Sequence, residues 1–102
     1  MKILKFCLLA VFLASGASAS DKVFKDANHA YKSICGHCHK DGGVGPDTVR
    51  MEFPAEVQKD RIAQIEQIVR HGQRAMPPFR KTEIDDATLR ELATLLAQGK
   101  IK

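Results

Sequence analysis

A short cysteine motif constrains this chain more than any other feature. Residues 35–39 read CGHCH, so two thiols lie three positions apart and an imidazole follows the second thiol directly. This spacing is the signature of c-type haem attachment. Two thiols at this separation can reach the two vinyl groups of one porphyrin, and the next residue places its imidazole beneath the iron. The motif predicts one covalently bound haem c, with Cys35 and Cys38 as its thioethers and His39 as an axial ligand.

Three other functions are compatible with two cysteines at this spacing. A structural zinc site needs four ligands, and a second Cys/His pair with suitable spacing is missing from the sequence. A redox-active pair of the thioredoxin type belongs to a βαβ context, which the sequence does not predict. A disulfide between Cys35 and Cys38 suits an oxidising compartment but leaves the long loops of the chain unexplained. The rest of the chain therefore favours haem attachment.

The first nineteen residues have the composition of a cleaved secretory signal. Residues 1–5 contain two lysines, and an unbroken apolar run follows over residues 6–14. Residues 17–19 read ASA, which is typical of a signal-peptide cleavage site. This apolar run is too short to cross a bilayer, which takes about 20 residues. We expect cleavage after Ala19, a periplasmic location, no stable membrane insertion and one domain over residues 20–102.

Without this segment the chain is small and nearly neutral. Removal of 19 of the 102 residues leaves 83, and loss of two of the 16 basic residues leaves 14 against 12 acidic ones, a net charge of +2. Basic side chains are not interleaved with aromatic ones, so we expect no nucleic-acid partner. A domain of this size buries only about 60% of the surface of its unfolded chain. Its core is marginal, and we expect something else to help hold the fold together.

Apolar side chains at helical spacing predict three helices and no strands. The expected helices are one over residues 21–34, one around residues 62–69 that ends at Gly72, and one that Asp85 or Asp86 caps and that ends near Gly99. Asp is a favourable N-cap, and a glycine after the last periodic residue is typical of a helix C-terminus.

Long loops separate these helices. Residues 35–47 are rich in glycine, and residues 75–82 contain two adjacent prolines, which exclude a helix there. Residues 50–60, interrupted by Pro54, are expected to be irregular. Long connections in small domains usually serve a site, and each of the two loops carries a soft metal ligand. The expected fold class is all-α, with three main helices and long loops wrapped around one haem.

A haem with both axial positions filled needs a second protein ligand. The candidates are His29, His37, Met51, His71 and Met76. None of the three histidines is expected to be the second ligand: His37 lies inside the attachment motif, and His29 and His71 are more simply explained as residues of the first and second helices. Met51 follows His39 by only twelve residues, which is tight for reaching the opposite face of the haem. Met76 follows His39 by 37 residues and lies in the proline-stiffened loop, so we expect it to be the ligand.

The surroundings of the haem can also be predicted. A ligating imidazole usually donates its other N–H to a carbonyl or carboxylate. Pro46 has a free carbonyl and a fixed φ in the same loop, so we expect its C=O to accept from His39. The residues expected to line the haem pocket are Tyr31, Ile65, Ile68, Val69, Phe79, Leu89 and Leu92.

The same ligand set argues against an enzyme. With both axial positions filled by the protein, no open iron position remains for O2 or a substrate. No Ser/His/Asp set, phosphate-binding loop or catalytic carboxylate pair stands out elsewhere, and Asp85-Asp86 is better explained as a helix cap. The sequence therefore predicts an electron-transfer protein.

The order of these motifs resembles that of class I monohaem cytochromes c over residues 21–99. More narrowly, the chain is similar to the cytochrome subunits of p-cresol methylhydroxylase-type flavocytochromes. The segments that carry this likeness are residues 34–40, 43–46, 68–72, 74–77 and 84–86. The resemblance implies a subunit docked on an FAD-containing dehydrogenase subunit that oxidises 4-alkylphenols. It would accept electrons from the flavin one at a time and pass them to a soluble periplasmic acceptor.

The alternative is a free-standing, diffusible cytochrome c that serves another dehydrogenase or a terminal oxidase. The chain also departs from the class I pattern at two positions. Ala27 lies where the first helix often has Gly at its crossing with the last helix, and Leu95 lies where an aromatic residue is frequent. Neither departure affects the expected haem ligands.

Overall fold

The computed structural model describes residues 23–102, so the predicted signal peptide over residues 1–19 lies outside the described residues. The elements are α1 (Ala27–Ser33), a 3-10 turn (Cys35–His37), a second 3-10 turn (Asp47–Arg50), α2 (Ala55–His71) and α3 (Asp86–Ala97). This part of the chain forms no β-strand, only an isolated bridge between Gln73 and Met76. The predicted all-α fold with three helices and long loops is confirmed.

The helix α1 begins later than the apolar spacing predicts. Residues 23–26 form bends, and the side chain of Asp26 accepts a 2.8 Å hydrogen bond from the backbone N–H of His29. An aspartate at this position satisfies a free donor of the first turn and so fixes the helix start at Ala27. The predicted helix over residues 21–34 is therefore wrong for residues 23–26. Phe24 is nevertheless buried in the core, which explains why it fitted the apolar pattern.

The helix α2 begins earlier than the sequence predicts. Pro54 precedes its first residue with a φ of −54°, and residues 55–60 are helical, so the prediction of an irregular segment is wrong there. A proline at the start of a helix loses no intrahelical hydrogen bond, because the first N–H groups have no partner within the helix. The C-terminus is as predicted: Gly72 has a φ of 75°, and its N–H donates to the carbonyl of Ile68 at 2.7 Å.

The helix α3 lies at the centre of the packing, because it contacts both α1 and α2. Its N-terminus is capped by Asp85, whose side chain accepts from the N–H of Thr88. The helices α1 and α3 are in contact, and each carries completely buried small side chains, among them Ala27 and Ala93. Alanines at a crossing let two helix backbones approach closely, so Ala27 is compatible with the place where glycine is frequent. None of the helices within residues 23–102 is long and apolar enough to cross a bilayer.

Candidate haem site

The first 3-10 turn brings both cysteines and His39 together. The carbonyl of Cys35 accepts hydrogen bonds from the N–H groups of Cys38 at 3.1 Å and of His39 at 2.9 Å. The turn follows directly on the C-terminal end of α1. Neither thiol is in a disulfide; Cys35 is half-buried and Cys38 is exposed. The turn therefore presents two free thiols next to one imidazole.

Burial governs the acidity of Cys35, in this turn, and of Tyr31, on α1. It raises the pKa of the Cys35 thiol to about 11, only partly opposed by a backbone hydrogen bond, and the neighbouring Cys38 raises it further. Burial also raises the pKa of the Tyr31 hydroxyl, against the lowering effect of the Arg50 guanidinium. Both groups are therefore neutral near pH 7.

The imidazole of His39 is held through its Nδ1 atom. This atom lies 2.8 Å from the carbonyl oxygen of Pro46 and donates to it, since a carbonyl can only accept. The predicted contact between His39 and Pro46 is thus present. Donation from Nδ1 fixes the tautomer and leaves Nε2, on the opposite side of the ring, with a lone pair for a ligand. Iron ligation by this nitrogen stays a prediction.

The glycine-rich loop has no room for side chains next to His39. A Cβ at Gly45 would lie 2.7 Å from both Cε1 and Nδ1 of the imidazole, closer than such atoms ever pack. The N–H of Gly45 donates to the carbonyl of Cys38 at 2.8 Å, which folds the loop back onto the cysteine turn. Gly43 is equally confined, against the carbonyl of Cys38. The glycines are therefore required by close approach to the turn and the ring.

Tyr31 gives His39 a third attachment point. Its hydroxyl donates to the backbone carbonyl of His39 at 3.0 Å, and its side chain is buried. The sequence predicts a buried Tyr31 but not this contact. The sequence signal that could have predicted this hydrogen bond is the position of Tyr31 on α1, shortly before the motif.

Met76 is placed by a tight turn after α2. The N–H of Gln73 donates to the carbonyl of Met76 at 3.0 Å, and the N–H of Met76 donates back at 2.9 Å. Arg74, inside this turn, has a φ of 54°, in the left-handed region that few side chains adopt. The Met76 side chain is partly buried against the core, whereas Met51 is 59% exposed. The position of Met76 thus favours it over Met51 as a held ligand, although its ligation stays a prediction.

The residues expected to line a haem pocket fall into two groups. Protein atoms alone bury Tyr31, Ile65, Val69, Leu89 and Leu92 within one core cluster. Ile68 and Phe79 are only partly buried, and Phe79 packs against that cluster, as Met76 does. Four further apolar side chains pack partly buried against the same cluster and were not predicted to line the pocket: Ile34, Val49, Ile62 and Leu95.

The remaining histidines lie apart from this arrangement. His29 is exposed, where its Nδ1 accepts from the N–H of Lys25 at 3.1 Å, and His71 is exposed at the end of α2. His37 is exposed within the motif. Across residues 23–102 no three His, Cys, Asp or Glu side chains are grouped so that they could hold a metal ion.

A short helix ending in a CxxCH turn, two further helices and an intervening methionine loop define a small c-type cytochrome. Comparison with known proteins agrees with this class. The family described as "Cytochrome C oxidase, cbb3-type, subunit III" matches residues 23–96. Because this match spans most of the chain, the chain belongs to that family of cytochromes c, and the family implies haem c as the cofactor.

Individual relatives show which cytochromes c within this family the chain is similar to. The 4-cresol dehydrogenase [hydroxylating] cytochrome c subunit of Pseudomonas putida is 36% identical over 96 residues, covering 93% of this chain and 76% of the relative. Two crystal structures of p-cresol methylhydroxylase, one with substrate bound, match at 37% identity with a TM-score of 0.59. They cover 72% of this chain and 92% or 93% of the other chain. The predicted resemblance is confirmed, and the protein is an electron-transfer cytochrome.

Proposed function

We propose that this chain carries one haem c, bound covalently through Cys35 and Cys38, with His39 Nε2 and Met76 Sδ as axial ligands. Its electrons come from the FAD of a 4-alkylphenol-oxidising dehydrogenase subunit and pass to a soluble periplasmic acceptor. The observation that carries the site assignment is the 2.8 Å bond from His39 Nδ1 to Pro46, made beside two free thiols. This arrangement supplies two thioether positions and one oriented imidazole within a single turn.

The donor set fits haem c chemically. Thiols add to porphyrin vinyl groups, a neutral imidazole is a common iron ligand, and a thioether opposite it raises the reduction potential. When bound, the haem supplies an iron that takes up and releases one electron at a time. The chain's own residues do the rest: Pro46 orients the imidazole, and the turn from Gln73 to Met76 presents the thioether.

Partial burial indicates which side chains contact the haem. Leu89 and Leu92 are only 2% and 1% exposed, so protein atoms leave them almost no surface to give to another group. Ile68 and Phe79 keep free apolar surface and belong to the end of α2 and to the Met76 loop. We therefore infer that Ile68 and Phe79 contact the haem directly, with Leu89 and Leu92 supporting them from the core.

The relatives support the choice of electron donor. The curated relative is by name the cytochrome c subunit of a 4-cresol dehydrogenase, and the matched crystal structures are of p-cresol methylhydroxylase. The chain spans three quarters of that relative and nearly all of the matched crystal chains, so the likeness extends over the domain as a whole. The basic start, short apolar run and ASA sequence of residues 1–19 support export to the periplasm.

The test is a gentle affinity capture of the full-length protein from the periplasm of its native host, with assays for bound FAD and for haem reduction. We expect a flavin-containing partner and haem reduction on addition of 4-cresol, but none on addition of toluene, which lacks the phenol hydroxyl. A red protein without a flavoprotein, left oxidised by 4-cresol, would favour the free diffusible cytochrome. A protein without haem would overturn the proposed function altogether.

A further inference from the structure

The side chain of Arg70 joins three segments around the Met76 loop. Its Nη1 donates to the carbonyl of Ile84 at 2.8 Å and, more weakly, to that of Phe79 at 3.4 Å. Its Nη2 forms an ion pair of 2.7 Å with Oδ1 of Asp86. The side chain of Arg70 is only 18% exposed, whereas that of Asp86 is 67% exposed. One guanidinium thus links the last turn of α2, the segment after Met76 and the first residue of α3.

This link closes the Met76 loop on its C-terminal side. The N-terminal side is held by backbone hydrogen bonds, from Gly72 to the preceding turn and between Gln73 and Met76. On the C-terminal side the N–H of Phe79 donates to the carbonyl of Val69 at 2.7 Å, and the two prolines before it have no N–H to donate. Beyond that bond, Ile84 is buried in the core at the far end of the segment over residues 79–84, and the Arg70 fork supplies the described side-chain hydrogen bonds from α2 to this segment.

We propose that Arg70 is a positioning residue for Met76: its guanidinium keeps the loop closed, so that the thioether stays on the iron. The inference depends on Met76 being the axial ligand, as in the proposed function. Guanidinium suits this role because its planar fork offers donors in fixed directions to several acceptors at once. Hydrogen bonds to a charged group are also stronger than those between neutral groups. Loss of the Arg70 bonds should therefore raise the equilibrium population of the open loop about tenfold.

A second arginine provides a matched control. Arg90 on α3 forms an ion pair of 3.2 Å with Glu66 on α2, so it joins the same two helices. Its partner lies on the α2 segment before Arg70, and this pair does not involve the Met76 loop. Removing either arginine removes one ion pair between α2 and α3. Only removal of Arg70 is expected to loosen the Met76 loop, because Arg90 has no described bond to it.

The experiment measures how fast imidazole displaces Met76 from ferric holoprotein. The methionine-to-iron absorption band at the red end of the spectrum reports the displacement, whose rate is limited by departure of the thioether. We expect Arg70→Met to accelerate it about tenfold, Arg70→Lys to accelerate it less, and Arg90→Met to leave it unchanged. Should Arg70→Met fail to fold, Arg70→Lys against Arg90→Met makes the same comparison.

Two results would overturn the inference. The first leaves the proposed axial ligands intact, and the second overturns the proposed ligation by Met76 as well. Equal displacement rates for the Arg70 and Arg90 variants would leave Met76 as the ligand but reduce Arg70 to an ordinary stabilising residue. Absence of the methionine band from the wild-type protein would remove Met76 as a ligand, and the inference with it. Met76→Ala is the control for access: rapid imidazole binding to it would show that loop opening, not access of imidazole, sets the wild-type rate.

Discussion

At the scale of single residues, His39 is the most constrained side chain of the site. Its ring, its backbone N–H and its backbone carbonyl are each engaged, by Pro46, Cys35 and Tyr31 respectively. With its backbone held on both sides of the Cα and its ring bonded to Pro46, the imidazole has little freedom to rotate, so its orientation is set by the protein. The absence of a side chain at Gly45 is part of the same constraint.

Gly45→Ala should therefore disturb the imidazole itself. The added methyl group would lie 2.7 Å from two ring atoms, so either the ring or the loop must move. We expect a loss of about 1–3 kcal/mol in the free energy of unfolding, measured by chemical denaturation, together with a shifted reduction potential.

Gly42→Ala is the control in the same loop. Gly42 has a φ of 74°, which costs an L side chain about 1–2 kcal/mol, but no atom lies within 4 Å of its added Cβ. It should lower the stability and leave the potential alone. An unchanged potential in both variants would refute the role assigned to Gly45.

Tyr31→Phe tests the attachment of the His39 backbone. Loss of the hydroxyl removes one buried hydrogen bond, worth about 1 kcal/mol of stability in chemical denaturation. Because the folded protein raises the pKa of Tyr31, the neutral phenol is favoured in the fold. The stability it contributes is present below the ordinary tyrosine pKa of about 10 and is lost as the pH rises through the folded value.

Tyr31 is the only tyrosine of the chain, so tyrosinate absorbance reports its titration without overlap from another tyrosine. The wild type should lose stability at alkaline pH by an amount that Tyr31→Phe does not lose. Titration of Tyr31 at or below the ordinary tyrosine pKa would disprove this account.

At the scale of elements, the ends of the helices depend on local hydrogen bonds that apolar periodicity cannot report. Asp26 sets the start of α1 although the pattern continues before it, and Pro54 marks the start of α2 although prolines usually break helices. The end of α2 was predictable, because Gly72 follows the last periodic residue directly. The apolar pattern thus predicts where helices are, and caps decide where they begin.

The separation in sequence between two contacting residues decides which parts of the site could be predicted. The cysteine turn and the Pro46 contact span only twelve residues, within which motif and backbone chemistry determine the geometry. Arg70 instead meets Ile84 and Asp86, 14 and 16 positions away, across a loop whose path no sequence pattern specifies. Such contacts follow from the tertiary packing of α2 on α3.

Asp86 gives the start of α3 a dependence on pH. Hydrogen bonds from Lys81 and Arg70 hold the pKa of its carboxyl below its ordinary value of 3.8. Its contribution to stability is therefore present above that value and is lost as the pH falls through the lower, folded pKa. We expect Asp86→Asn to flatten the acid limb of the melting temperature against pH.

Asp41→Asn is the control for this prediction, since Asp41 is an exposed loop carboxylate outside the described ion pairs. It should keep the acid limb of the wild type. An Asp86→Asn protein with the wild-type acid limb would show that the two cations do not stabilise the carboxylate.

At the scale of the whole molecule, the core and the candidate site are continuous, because Cys35 and Met76 pack partly buried against the core cluster. The helix α3 buries its apolar face against α1 and α2, and the cysteine turn and the methionine loop extend from the ends of those two helices. Burial of a single leucine is worth about 1.5–3 kcal/mol, so a domain of this size gains much from any cofactor that adds apolar contact. The apolar side chains that pack only partly buried against the core keep surface for such contact, among them Ile62, Met76 and Phe79.

The central claim is that His39 and Met76 together ligate one covalently held haem. A haem that stays with the protein through acid-acetone extraction first establishes covalent attachment. The most direct measurement is then the red end of the ferric absorption spectrum, recorded for the wild type, Met76→Ala and Met51→Ala. We predict a methionine-to-iron band in the wild type and in Met51→Ala, and its loss in Met76→Ala. A band that persists in Met76→Ala and disappears in Met51→Ala would contradict the account and move the ligand to the exposed methionine.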